Sequence, residues 1–490
     1  MHKQKKYRAI TPGVAWLLAE LQLDSPYGRE ALKNMQPAGS ANLPELESNL
    51  DELAAIVTAA NSDPDFLHRA GSIFKCLRYI GGSLDNLEAG LTPDETELLE
   101  IKGFAILLES LKKWYDSANL QLPSINFADL SEVVTILNPD SMIVSSFYVH
   151  EAYSERLKEL RTAKRALEQQ ILQSRDQAAK DSLRQKRLLI VEQEKDEECR
   201  VRCELGKKLR VWVADLRQNG NMAGLFELLL AKAKIAVVHH CVRPEIFLPT
   251  AKEPMLAINM RNPEVEESLS RQGKQFTPVS IELICGTTLL TGANMGGKTI
   301  ALMTLAMNAE LAALGFFVFA ERFSTPLFDF IYLIAGDNQS SISGLSSFGA
   351  EIIKLSELTT LTRKGTGLAV CDEFARSTNP SEGSRFVQAL GEYLHQSGSY
   401  GIIATHYDGI KITGAGCYQV IGLKNQASAI PGAGQAALLD NLCANMDYRL
   451  VKISNDYQVP KEALHIASIL GVDAEFLGIL KRLYPEDKNC

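Results

Sequence analysis

The sequence predicts a multidomain chain in which a mainly α-helical domain is followed by an α/β domain and a helical tail. Three observations predict it. A length of 490 residues exceeds one ordinary domain and suggests about two to four. Amphipathic helical runs fill residues 1–240, whereas from about 241 short apolar runs rich in β-branched and aromatic residues alternate with helices. Within that second region a glycine-rich loop stands between a strand pattern and a helix pattern, a placement that gathers backbone N–H groups at a helix N-terminus. The expected boundaries are 1–240, 241–450 and 451–490.

In the first region, Asn61-Ser-Asp-Pro64 and Gly81-Gly-Ser83 are turn signals, and Leu91-Thr-Pro-Asp-Glu-Thr96 reads as a helix start capped by Thr92. Leu157, Leu160, Leu167 and Ile171 share one helical face; Val201, Leu205, Leu209, Trp212 and Leu216 share another. Fewer than 30 residues, about half of them charged, separate the stripes, which fits two long antiparallel helices or one interrupted pair. From 155 to 210, sixteen Lys or Arg oppose eleven Asp or Glu, a surplus read first as a solvated face and second as a nucleic-acid contact.

In the second region strands are expected at Ile281–Leu290, Phe316–Ala320, Leu368–Cys371, Gly401–Ala404 and Tyr418–Leu423, within a largely parallel sheet. The tail predicts one helix from about Lys461 to Leu470, ended by Gly471, and a second capped by Asp473 and running to about Leu483. Such a hairpin either joins two subunits or closes a core.

The composition, 46% hydrophobic and 22% charged, is that of a soluble globular protein. No apolar run reaches the roughly 18 residues of a membrane span; Ile300–Ala320 is interrupted by Asn308 and Glu310. The basic start Met-His-Lys-Gln-Lys-Lys-Tyr has no apolar segment behind it, so a cytoplasmic protein is expected. Nine scattered cysteines form no CxxC pair and read as reduced, mostly buried thiols, not as zinc ligands or disulfides. A net charge of −8 weighs against a protein whose main work is gripping duplex DNA, although a local basic face is compatible with it.

Gly292-Ala-Asn294-Met295-Gly296-Gly297-Lys298-Thr299 matches the phosphate-loop pattern GxxxxGK[ST] in full. Glycines let backbone N–H groups converge on phosphate oxygens, Lys298 bridges the β- and γ-phosphates of ATP, and the Thr299 hydroxyl ligates Mg²⁺. About 75 residues later, Leu368-Ala-Val-Cys-Asp372-Glu373 is an apolar strand ending in two carboxylates. Asp372 is the expected holder of Mg²⁺ and Glu373 the expected polariser of the attacking water. His406, at the end of the next strand, is placed to sense the γ-phosphate.

These residues resemble the MutS mismatch-repair ATPases. Thr291-Gly-Ala-Asn-Met-Gly-Gly-Lys298 is similar to that family's phosphate loop, with Ala293 where a proline is usual and Thr299 where a serine–threonine pair is common. Asp372-Glu-Phe-Ala-Arg376-Ser-Thr378 followed by Gly383 resembles its Walker B segment and D-loop, and Ala404-Thr-His406-Tyr its histidine switch. Gly344-Leu-Ser346-Ser-Phe348, then Glu351, resembles the signature segment that completes the neighbouring subunit's ATP site. Phe276, with Pro278, lies where the family stacks an aromatic ring on adenine; a core phenylalanine is the alternative. More weakly, Thr11-Pro-Gly, Ser25-Pro-Tyr-Gly-Arg29, Tyr153-Ser-Glu-Arg-Leu157 and Val242-Arg-Pro-Glu245 look like its helical core, lever and entry to the ATPase domain.

The resemblance implies an ABC-type P-loop ATPase acting as a homodimer, in a truncated member whose mismatch-reading and connector domains would precede residue 1. Two clients stand open: DNA of unusual structure, or a protein. Shortened chains of this build also resemble the ATPase subunit of the reactivase for lysine 5,6-aminomutase, a cobalamin-dependent enzyme.

Overall fold

The computed structural model describes residues 10–63, 65–139, 149–249, 253–292, 297–335, 347–423, 435–454 and 463–483. The chain divides into two compact units: Met1–Gln4, Gln22–Asn34 and Ala55–Ala233 in one, Lys5–Leu21, Met35–Ala54 and Lys234–Cys490 in the other. The fold class is a helical core plus an α/β part carrying two mixed sheets.

The first unit is helical. Its core gathers around the fully buried Phe226, whose ring has those of Phe74, Trp114, Tyr115 and Phe127 at centroid distances of 5.4–6.5 Å. Asp94, not Thr92, caps the helix Glu95–Ser117. Its carboxylate accepts from Glu97 N at 2.8 Å while Glu97 accepts from Asp94 N at 2.9 Å, and this reciprocal box satisfies two N–H groups where Thr92 could serve one. The helices Glu155–Gln173 and Gln177–Arg210 pair antiparallel, so the charged residues between the apolar stripes continue the helices. Arg161 bridges to Glu194 at 3.0 Å and Glu198 at 2.8 Å, and Arg187 to Glu168 at 2.7 Å. The Ser25-Pro-Tyr-Gly-Arg29 turn is held by Glu227, which accepts from Asp24 N at 2.5 Å, from Ser25 N at 3.0 Å and from the Ser25 hydroxyl.

The second unit holds ten described strands: β1 Glu245–Phe247, β2 Met255–Met260, β3 Val279–Leu283, β4 Gly286–Thr291, β5 Arg322–Pro326, β6 Phe330–Ile334, β7 Gly367–Asp372, β8 Tyr400–Ala404, β9 Gly416–Leu423 and β10 Met446–Lys452. A four-stranded sheet has the order β1-β5-β2-β3, and a six-stranded sheet β10-β9-β4-β8-β7-β6. In the larger sheet every neighbouring pair is parallel except β10 with β9. The expected strand Ile281–Leu290 is two strands in different sheets, because the chain turns at Gly286, where φ is 109°. Phe316–Ala320 is a buried coil instead of a strand. Its Phe319 N–H donates to Asn308 Oδ1 at 2.7 Å, and only Val318 makes a bridge, to Val242.

Glu310, 1% exposed on the helix Lys298–Ala313, draws the Thr11-Pro-Gly segment into this unit. It accepts from Ile10 N at 2.6 Å, Thr11 N at 2.9 Å and Thr11 Oγ1 at 2.8 Å. Towards the C-terminus, Gly471 (φ 77°) follows the helix Ala463–Ile469, and Asp473 Oδ1 accepts from Glu475 N and Phe476 N at the start of Ala474–Leu483. Of the described cysteines only Cys371 and Cys417 are buried, and Cys76 and Cys199 are exposed, which corrects the expectation of mostly buried thiols. No helix among the described residues is long and apolar enough to cross a membrane.

Candidate nucleotide site

Three neighbouring parallel strands of the six-stranded sheet end in one row, because the register pairs Leu290 with Ala404 and Ala404 with Asp372. The segments leaving β4, β8 and β7 thus begin side by side at the carboxyl edge, where open α/β sheets bind ligands.

From β4 comes the glycine-rich segment that matches the phosphate-loop pattern, of which Gly292, Gly297, Lys298 and Thr299 are among the described residues. Gly292 has φ 139° and Gly297 has φ 81°, conformations that a side chain resists. Gly297 caps the helix Lys298–Ala313, whose first N–H groups and dipole face the same edge. Lys298 is 4% exposed and its Nζ donates to Gly292 O at 2.7 Å. Burial pulls its pKa down, against the carboxylates of Glu373 and Asp372, which favour its charged form. Thr299 Oγ1 donates to Asp372 Oδ2 at 2.7 Å, joining the loop to β7.

Burial pushes the Asp372 carboxyl above the ordinary range; the Thr299 hydrogen bond and the charges of Lys298 and Arg376 oppose this, while Glu373 adds to it. Its Oδ1 is buried with no hydrogen-bond partner among the described residues. Next comes Glu373 with φ 48°, and then Ala375 with φ 61°, two non-glycine residues in the left-handed region at roughly 1–2 kcal/mol each. Glu373 N donates to Ala404 O at 3.1 Å, and Arg376 Nη1 bridges to Glu373 Oε2 at 2.7 Å. His406, half-buried beyond β8, has its ring centroid 4.5 Å from that of Tyr407, and its Nδ1 is buried with no partner among the described residues.

A threonine hydroxyl meets a carboxylate, one oxygen of which has no partner among the described residues, at the end of β7 beside a helix N-terminus that carries a buried lysine, and His406 follows two residues beyond the end of the neighbouring β8. Oxygen donors of this kind suit Mg²⁺, and the lysine with the helix end suits phosphate oxygens. The residues present therefore fit a magnesium–nucleotide complex. Asn294, Met295, Gly296 and Ser346 lie outside the described residues. Phe276 is half-buried in the coil before β3. Sequence reasoning missed Tyr448 of β10, whose Cδ1 would lie 3.0 Å from a Cβ placed on Gly297. The alternation in Met446–Lys452 was the available signal.

Residues 288–447 match the family model of MutS domain V. Relatives include the DNA mismatch repair protein MutS of Bacillus licheniformis, 31% identical over 231 residues covering 46% of this chain and 26% of that protein. The Endonuclease MutS2 of Thermomicrobium roseum is 31% identical over 211 residues, 41% of this chain and 26% of that protein. The DNA mismatch repair protein MutS of Streptococcus pneumoniae serotype 19F is 26% identical over 294 residues, 59% of this chain and 32% of that protein. The chain spans about a quarter to a third of the length of these curated relatives.

Proposed function

We propose that this chain, a member of the MutS family through its domain V, is an ABC-type P-loop ATPase that binds and hydrolyses ATP as a homodimer and couples turnover to conformational change on a DNA client. The supporting observation is the row of strand ends Leu290, Ala404 and Asp372, with Thr299 bonded to Asp372 across it. Lys298 would offset the charge of the β- and γ-oxygens. Thr299 and Asp372 would hold Mg²⁺, which when bound neutralises phosphate charge. Glu373 would orient the attacking water and take its proton, with His406 facing the γ-phosphate. Gly292, Asn294, Met295, Gly296 and Gly297 would cradle the phosphates, Phe276 would contact adenine, and Ser346 would complete the partner subunit's site. In this reading residues 241–450 form the ATPase domain and 451–490 a dimerisation tail.

DNA is the client we favour, since the matched relatives are a DNA mismatch repair protein and an endonuclease. A protein client is the second reading, supported by the charges of the helical hairpin. Lys158, Arg161, Lys164, Arg165, Arg184, Arg187 and Arg200, seven of its sixteen basic residues, are ion-paired to carboxylates. The test is ATPase turnover with homoduplex, heteroduplex and branched DNA, and with a cobalamin-dependent aminomutase holoenzyme. Stimulation by any DNA supports the first reading; stimulation by the aminomutase alone assigns the second. No ATP turnover under any condition removes the ATPase reading.

A further inference from the structure

We infer that Glu351 and Tyr407 are positioning residues that clamp the Ala375 peptide from both sides and thereby aim the Glu373 carboxylate. The inference rests on the ATPase reading above. Glu351, in the second turn of the helix Ser347–Thr362, is 9% exposed and accepts from Ala375 N at 2.7 Å through Oε2 and from Ser377 Oγ at 3.1 Å through Oε1. From the other side the Tyr407 hydroxyl donates to Ala375 O at 2.9 Å, in a buried bond. Both polar groups of that residue are thus occupied by side chains from two other segments, one from the helix after β6 and one from the loop after β8.

The held segment needs holding. Glu373 and Ala375 both adopt left-handed φ, and within the segment only the Arg376 N–H to Glu373 O contact, at 3.3 Å, closes the turn. A left-handed glutamate relaxes to an extended or right-handed conformation when its neighbours release it, and its carboxylate then leaves the edge of the sheet. Gly383 leaves the room this clamp requires: a Cβ there would lie 2.8 Å from Ala375 O and would collide with the Tyr407 hydroxyl. Both Glu351 oxygens and the Tyr407 hydroxyl are engaged by this segment, so their effect passes through the turn.

The experiment uses the full-length chain and compares Glu351→Ala, Glu351→Gln, Ser377→Ala and Tyr407→Phe with wild type. It records kcat, KM for ATP, the Kd of a fluorescent ATP analogue and a thermal melt. Misplacing a catalytic group by a fraction of its productive geometry lowers turnover without removing binding contacts. The expected result is a kcat about tenfold lower for Glu351→Ala and Tyr407→Phe, with Kd within about twofold, and Glu351→Gln, which keeps one acceptor oxygen for Ala375 N–H, recovered to about threefold below wild type. Unchanged kcat in folded Glu351→Gln and Tyr407→Phe overturns the inference, and so do parallel losses in kcat and nucleotide affinity. If Glu351→Ala does not fold, Tyr407→Phe and Ser377→Ala decide. A wild-type chain without ATP turnover overturns the ATPase reading, and the inference with it.

Discussion

Gly297→Ala puts a measurable load on the phosphate loop. Gly297 sits at φ 81° and ψ 11°, and alanine in the left-handed region costs about 1–2 kcal/mol. The new methyl would also stand 3.0 Å from Tyr448 Cδ1, so the half-buried ring must give by a few tenths of an ångström. The loop has two ways to respond. If it keeps its conformation, the strain lowers folding stability, by about 2–4 °C in melting temperature per kcal/mol for a large domain. If it relaxes, the strain reappears as lost nucleotide affinity, and 1–2 kcal/mol corresponds to about a 5–30-fold rise in Kd. Fluorescent-ATP titration and thermal melting together capture both routes. Tyr448→Ala in the Gly297→Ala background should return only the part due to the ring, leaving the backbone part in place. A variant whose Kd stays within twofold and whose melting temperature stays within about 1 °C would refute the reasoning, because the penalty would have appeared in neither place.

Lys298→Ala should abolish ATP binding in the same titration, whereas Glu373→Gln should bind ATP normally and turn over at least about 100-fold more slowly, read in a steady-state phosphate-release assay. Asp372→Asn should melt at or above wild type near neutral pH while losing Mg²⁺-dependent ATP affinity. The folded pKa of Asp372 is raised, so its contribution to stability is present below the ordinary carboxylate value and lost as pH rises through the raised one. The two melting curves should therefore converge as pH falls, and divergence there would show the sign to be wrong. Glu310→Ala leaves the Ile10 and Thr11 N–H groups and the Thr11 hydroxyl unsatisfied, at about 1–3 kcal/mol for each fully buried group. A loss of roughly 3 kcal/mol is expected in urea unfolding, and less than 0.5 kcal/mol would contradict the clamp.

The candidate site was legible where its chemistry fixes residue types at fixed spacing. Phosphate binding needs glycines before a lysine and a hydroxyl, so 292–299 stood out; a hydrophobic strand ending in Asp372-Glu373 followed from the same logic. Strands that lacked such a label were harder to find. Phe316–Ala320 has the composition of a buried strand, but burial alone cannot separate a strand from an apolar coil, and here Asn308 satisfies the Phe319 N–H that a ladder would otherwise take. β2, a six-residue run with Asn259 as its one polar residue, and β10, a short alternating segment, went unread because each is brief and carries no chemical label. The membership of residues 5–21 in the α/β unit was invisible for another reason: it depends on Glu310, about 300 positions away, and no local pattern reports such a contact.

The backbone explains why the site could not be built wholly from glycine. At 292 and 297 the loop needs unusual φ and no side chain, so glycine carries the conformation without strain. At 373 the proposed chemistry would need a carboxylate in a conformation glycine would adopt more readily, and the chain keeps the glutamate. Offsetting interactions then have to come from elsewhere, and the hydrogen bonds of Glu373 N to Ala404, Ala375 N to Glu351 and Tyr407 to the Ala375 carbonyl supply them. They come from three places in the α/β unit: the end of β8, the helix Ser347–Thr362 and the loop after β8. A backbone that local preference disfavours is thus kept by tertiary contacts, at the residue whose side chain hydrolysis would require.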